Sequence, residues 1–251
     1  MTSNVLQTVL SALVALAPAA PARPAPTTVS IQFDDGRSQQ DVRALLARHR
    51  LHATFFINSA TVGTPDVLTW RDLRALKADG HEIAGHTRTH ADLTKLSASA
   101  QRHEICDDRA TLAAHGLPPV DFAYPYGRYT AVSKRIVRSC GYASARRAGG
   151  LSNARFAVNR MRLRDRFAIP TAAAPVDTTT AADVERAVND ASTHGGGWVQ
   201  VFWHRICPDD CHRYSWPAER LDEVLTWLRG EVDAGRVRVA TVQQALTPAG
   251  R

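Results

Sequence analysis

The chain predicts an α/β fold, a distorted (β/α)7-type barrel in a single domain. Three observations lead there. Runs rich in β-formers alternate with amphipathic stretches from residue 28 onward, the pattern of a parallel sheet with right-handed crossovers. Seven or eight strands over roughly 220 residues suit a barrel better than a small open sheet. The glycine-rich phosphate loops of many open sheets, G-x-G-x-x-G and G-x-x-x-x-G-K-[ST], are absent.

TVSIQF (28–33) reads as the first strand. SQQDVRALLARHR follows as a helix with Val42, Leu45 and Leu46 on one side. ATFFIN (53–58) is strand-like, PDVLTWRDLRALKADG helical with Gly80 as its stop, and HEIAGH a short strand entering a loop. SASAQRHEICDDRATLAAHG is a helix capped by Ser97 or Ser99 and ended by Gly116. DFAYPYG is a strand tipped by Pro125 and Gly127; TAVSKRIVRSC is a helix and YASAR a strand. RMRLR alternates as a strand would, and AIPTAAAPVDTTT reads as loop. TAADVERAVNDASTHGGG is a helix, WVQVFWH a strand, and PAERLDEVLTWLRGEVDAG a helix opened by Pro217. VRVATVQQAL closes the chain as a strand and short helix.

Residues 1–26 stand apart. VLQTVLSALVALA is apolar but too short to span a bilayer, and APAAPARPAP follows it. A secretory signal is expected there, with cleavage near Ala20-Pro21-Ala22, although no Lys or Arg precedes the apolar run. The domain is therefore placed at 27–251, and a secreted or cell-wall location without stable membrane insertion is expected. Net charge is +7, with 31 Lys+Arg against 24 Asp+Glu. The excess is arginine spread along the chain without a dense basic block, which argues against a nucleic-acid partner. Four cysteines (Cys106, Cys140, Cys207, Cys211) suggest two disulfides with three possible pairings; Cys207–Cys211 could close a tight local loop, leaving Cys106 to meet Cys140. A zinc site at Cys207, Cys211 and His212 is the competing reading.

Candidate reactive residues fall at strand ends, where barrels of this kind place their sites. QFDDG puts Asp34 and Asp35 side by side. Adjacent residues on a strand face opposite ways, so one carboxylate could hold a metal while the other moves protons. In HEIAGHTRTH, His81 and His86 are five apart, which rules out the H-E-x-x-H metalloprotease pattern. His86 and His90 are four apart, and a helix starting at Thr87 would put both on one face. With Asp35 they form a coherent set of two imidazoles and one carboxylate. YPYG contributes Tyr126, and FWH contributes His204.

FDDG, HTRTH followed by DLTKL, YPYG and a late FWH, in this order, resemble the polysaccharide deacetylase family, the NodB-like domain of carbohydrate esterase family 4. The likeness runs from about residue 28 to the terminal VATVQQAL. It implies a secreted, metal-dependent deacetylase of an N-acetylated polysaccharide (chitin, peptidoglycan or poly-N-acetylglucosamine type). Asp34 would be the base and His204 the acid. Asp35, His86 and His90 would bind a divalent metal, Zn2+ first and Co2+, Ni2+ or Mn2+ as alternatives. Thr87 would brace the loop by hydrogen bonding, and Tyr126 would line the groove and offer its N–H to an oxyanion. Trp216 is a second candidate for stacking on sugar. A monomer is expected. The resemblance breaks at Ala123, where the family commonly has an arginine that orients the catalytic aspartate; Arg160 or Arg162 could replace it. The family's Asp-Trp motif has only Asp165 as a loose match. Alternatives are a non-catalytic glycan binder, or a deacetylase of acetylated xylan or of a small amide.

Overall fold

The computed structural model describes residues 27–151, 158–159, 163–172, 174–207 and 213–247. Strand β1 (Thr27–Asp34) sets the plan. Val29, Ile31 and Phe33 pack outward among helix residues such as Val42, Leu46 and Leu225. The alternate residues Ser30, Gln32 and Asp34 point into the barrel, as a period of two requires. The next elements are α1 (Val42–His49), β2 (Ala53–Ile57), α2 (Trp70–Ala78), β3 (Glu82–Gly85), α3 (Ala98–Ala114), β4 (Asp121–Ala123), α4 (Ala131–Ser139) and β5 (Ser144–Gly150). Then come β6 (Val158–Asn159), β7 (Ile169–Thr171), α5 (Ala181–Thr193), β8 (Trp198–Trp203), β9 (Arg205–Cys207), β10 (Ser215–Pro217), α6 (Ala218–Asp233), β11 (Val237–Val239) and α7 (Val242–Leu246).

The strands order as β8-β1-β2-β3-β4-β5-β7, all parallel, with β6 antiparallel on the outer side of β8 and β11 beside the first half of β1. Side chains bridge the gap between β7 and β8. Asn159 and Gln200 both donate their amides to the Pro170 carbonyl, at 2.7 and 3.4 Å. The result is the expected barrel, distorted on that side.

Helix starts follow the capping chemistry in the sequence. Thr69 forms a capping box with Asp72, so α2 begins at Trp70 rather than at Pro65. Ser97, rather than Ser99, caps α3. One expectation needs correction. AIPTAAAPVDTTT is not all loop, because Ile169–Thr171 pairs with β5; Pro170 sits where an edge strand tolerates a missing N–H. In RMRLR, residues 160–162 lie outside the described residues. Cys106 and Cys140 are bonded, tying α3 to the end of α4. Cys207 is also disulfide-bonded, which removes it as a zinc thiolate. Its expected partner Cys211, and His212, lie outside the described residues. No helix among the described residues is long and apolar enough to cross a membrane.

Candidate active site

The C-terminal ends of the strands surround a cleft of about 610 Å³ lined by Asp34, His86, His90, Tyr126, Arg146, His204 and Tyr214, among others. That volume lies within the usual range for small-molecule sites. Four non-glycine residues around it have left-handed backbone: Asp35 (φ 70°), Thr87 (φ 68°), His90 (φ 62°) and Tyr126 (φ 56°). Each such position costs about 1–3 kcal/mol and persists only where the surroundings enforce it.

Asp35, His86 and His90 converge. Their ligand atoms all lie within 4.8 Å of one another. Asp35 Oδ1 is 3.6 Å from Nε2 of both histidines, and it is buried without a hydrogen-bond partner. The Nδ1–H of His86 donates to the Ala123 carbonyl at 2.8 Å, which leaves Nε2 free to ligate. Burial pushes the His86 imidazole down to about 4, so it stays neutral, the form a metal needs. An orphaned carboxylate oxygen facing two neutral imidazoles fits a divalent cation. The two histidines do not share a helical face, however. Residues 86–92 form a loop, and the left-handed turns at Thr87 and His90 bring the rings together at 4.9 Å.

Asp34 ends β1 inside the barrel and is fully buried. Burial alone would raise its pKa. Arg146, then His86 and His204, outweigh that and hold the carboxyl below its ordinary value. Arg146 lies on β5 and pairs with Asp34. Its Nε donates to Gln32 Oε1 at 2.7 Å, and its guanidinium sits between the Phe56 and Phe202 rings, 4.4 and 4.5 Å from their centroids. It puts a positive charge beside Asp34, which Ala123 cannot do. Residues 123 and 146 are register partners on adjacent strands, so the guanidinium enters the same space from one strand over. Arg160 and Arg162 lie outside the described residues.

His204 follows β8 and lines the same cleft, with Nδ1 buried and without a partner. The Gln39 amide donates to the carbonyls of both Asp34 and His204, at 2.7 Å each. It thus ties the end of β1 to the end of β8. Nothing in the sequence marked Gln39, because its role rests on the carbonyls of Asp34 and His204, which meet only in the folded barrel. Tyr126 packs edge-on to His90 at 4.6 Å and is 59% exposed.

Three other expectations change. The Thr87 hydroxyl is buried and makes no hydrogen bond; the Asn58 amide, donating to the carbonyls of His86 and Thr87, braces the loop instead. Trp216 is fully buried against Trp203, and its indole N–H donates to Val176 O at 3.0 Å, so it is a core residue. Tyr214, two residues earlier and 51% exposed, lies in the cleft wall beside His204. Asp165 pairs with Lys134 at 2.7 Å and does not line the cleft.

The parallel barrel with a carboxylate–imidazole cluster at its C-terminal rim defines a (β/α) barrel with a candidate metal site where such folds place their active sites. Comparison with known proteins makes this specific. Residues 22–145 match the family model described as polysaccharide deacetylase. A chitooligosaccharide deacetylase of Bradyrhizobium sp. (strain ANU 289) is 32% identical over 108 residues, 41% of this chain and 48% of that protein. A peptidoglycan-N-acetylglucosamine deacetylase of Listeria monocytogenes is 31% identical over 117 residues, 45% of this chain and 24% of that protein. Among solved structures, a family 4 acetyl xylan esterase from Clostridium thermocellum in complex with a cobalt ion superposes with a TM-score of 0.59 at 20% identity, covering 87% of this chain and 89% of that one. A family 4 carbohydrate esterase from Streptomyces lividans, in complex with acetate, gives 0.56 at 19% identity over 86% and 91%. The chain belongs to the polysaccharide deacetylase family. It spans less than half the length of these two sequence relatives.

Proposed function

We propose that this protein hydrolyses the acetyl amide of N-acetylated glycans, with a divalent cation held by Asp35, His86 and His90. The observation that carries the reading is the buried Asp34–Arg146 pair set directly beside that ligand cluster. A cation bound there supplies Lewis acidity, which polarises the acetyl carbonyl and eases deprotonation of water. Asp34, kept ionised by Arg146, takes the proton of the attacking water. The Tyr126 N–H donates to the developing oxyanion, a contribution commonly worth about 3–4 kcal/mol. His204 then protonates the departing nitrogen, because an amide anion leaves poorly. The exposed rings of Tyr126 and Tyr214 on the cleft wall provide faces on which sugar rings can stack.

The substrates we favour are polymers of N-acetylglucosamine type, chitin-like or peptidoglycan, because the relatives above are named for such substrates. Zn2+ is the favoured ion. Action outside the cytoplasm is supported by the apolar segment at residues 5–17 and by the Cys106–Cys140 disulfide. Arg146 weakens the non-catalytic alternative by placing beside Asp34 the positive charge that Ala123 does not provide. The test is acetate release from chitin oligomers, peptidoglycan, poly-N-acetylglucosamine and acetylated xylan, using chelated protein and protein restored with Zn2+ or Co2+. Metal-dependent release that is lost in Asp34→Asn, with a bell-shaped pH dependence of kcat/KM, is expected. No release from any of the four by the metal-restored protein would overturn the reading.

A further inference from the structure

Helix α3 carries an unusual buried face. Gln101, Glu104, Ile105, Asp108 and Leu112 are its buried residues, and three of these five are polar or charged. Buried acids without a purpose are costly. Glu104 and Asp108 lie one helical turn apart, so their carboxyls project from the same side. Each meets one of two loops at the rim of the barrel.

The Glu104 carboxylate accepts the Thr89 amide N–H and the Thr89 hydroxyl, both at 2.9 Å. Its own carbonyl accepts the Arg88 N–H at 3.0 Å. Three donors from two consecutive residues of the His86–His90 loop therefore end on one residue of α3. The Asp108 carboxylate accepts the Ser59 N–H at 3.0 Å and the Tyr142 hydroxyl at 3.4 Å. It also packs on the chain just before His86, since a Cβ added at Gly85 would lie 2.9 Å from Asp108 Oδ2. The turn that Asp108 holds is joined to the same loop: Ala60 N–H donates to Arg88 O at 3.0 Å, and Asn58 donates to the carbonyls of His86 and Thr87.

Those bonds converge on a loop that cannot hold its shape by local preference. Thr87 and His90 both sit at positive φ, a region that a β-branched residue such as Thr87 rarely occupies. Freed from its anchors, the segment would relax, and the two imidazoles would separate. We propose that Glu104 and Asp108 are positioning residues for the metal: α3 acts as a clamp that keeps His86 and His90 in the strained conformation able to share one ion. Neither acid ligates. They act through the backbone of the ligand loop, as outer partners of metal sites commonly do, at about 10–100-fold in affinity. The inference rests on the metal-site reading above and adds residues outside the ligand set and outside the sequence motifs that suggested it.

The test is Zn2+ affinity, measured by competition with a chromophoric chelator on the chelated full chain. Wild type, Glu104→Ala, Glu104→Gln, Thr89→Val and Asp35→Ala are compared, with the thermal midpoint of each metal-free protein recorded separately. Glu104→Ala should bind Zn2+ about 10–100-fold more weakly at a temperature where it is fully folded. Glu104→Gln, which keeps an acceptor for the Thr89 amide, should recover most of that loss. Thr89→Val, which removes only the hydroxyl bond, should fall between wild type and Glu104→Ala, and it keeps the test open if Glu104→Ala fails to fold. A purely structural role would lower the metal-free midpoint and leave Zn2+ affinity unchanged, and that result overturns the clamp while Asp35→Ala still loses the ion. A wild type that binds no Zn2+, or binds it equally well with Asp35→Ala, overturns the metal-site reading and the clamp with it.

Discussion

At residue 146, an arginine inside a barrel is tolerated because its charge is paired and its plane is covered. Its Nη2 meets Asp34, its Nε meets Gln32, and two aromatic faces cover the plane. Arg146→Met should leave Asp34 buried and unpaired, costing about 3–5 kcal/mol in urea-unfolding stability. Acetate release should fall at least about 100-fold, because the base would lose the main charge that offsets its burial and holds its pKa down. Residues 123 and 146 are register partners, so the double change Ala123→Arg with Arg146→Ala should recover much of that activity. A double variant no better than Arg146→Ala would show that the strand of origin matters. Gln39 offers a milder probe. Gln39→Leu removes both carbonyl bonds and should lower kcat by about tenfold through misalignment of base and acid. Zn2+ affinity, measured in the same variant, should be unchanged.

At the scale of elements, the turn carrying Tyr126 is held by a close approach of two backbones. Gly127 has φ 66°, and a Cβ there would lie 2.5 Å from Ala148 N and 2.7 Å from Ala148 O. Gly127→Ala must push this turn away from β5 or distort the strand, at about 1–3 kcal/mol. A lower thermal midpoint together with a raised KM is expected, since Tyr126 rides on the turn. The Cys106–Cys140 bond ties α3, the clamp of the ligand loop, to α4. The double change of both cysteines to serine should cost about 2–4 kcal/mol in denaturant unfolding. Helix starts were legible only in part: Ser97 was one of two candidate caps for α3, and the Thr69–Asp72 box that starts α2 lay inside a stretch read as helix from Pro65. Strand β7 was not legible, because three residues around a proline carry little local signal and are defined by pairing with β5.

For the whole molecule, the end of the barrel opposite the site contributes a pH dependence of stability through His81. His81 is buried, its Nδ1 accepts the Ala53 N–H at 3.1 Å, and burial pushes its pKa down from 6.5 to about 4. The unfolded chain therefore takes up the proton first. The stability gained from a neutral His81 is complete above pH 6.5 and is lost as pH falls from 6.5 toward 4. His81→Asn can keep an acceptor near Nδ1 without titrating. Urea midpoints measured from pH 7 to pH 4 should fall less steeply in that variant; equal slopes would assign the acid sensitivity to other groups.

The sequence by itself determined the alternation of strands and helices, the order of the motifs along the chain, and the residue types of the ligand set. These are local properties: a period of two or of 3.6, a capping hydroxyl, an adjacent pair of carboxylates. Tertiary structure alone decided that Arg146 serves Asp34, that Tyr214 rather than Trp216 faces the cleft, that Asn58 and Glu104 rather than Thr87 hold the ligand loop, and that Gln39 joins β1 to β8. Each of those depends on which side chains meet across strands far apart in the chain. Such meetings are set by barrel closure and register, which no short stretch of residues encodes.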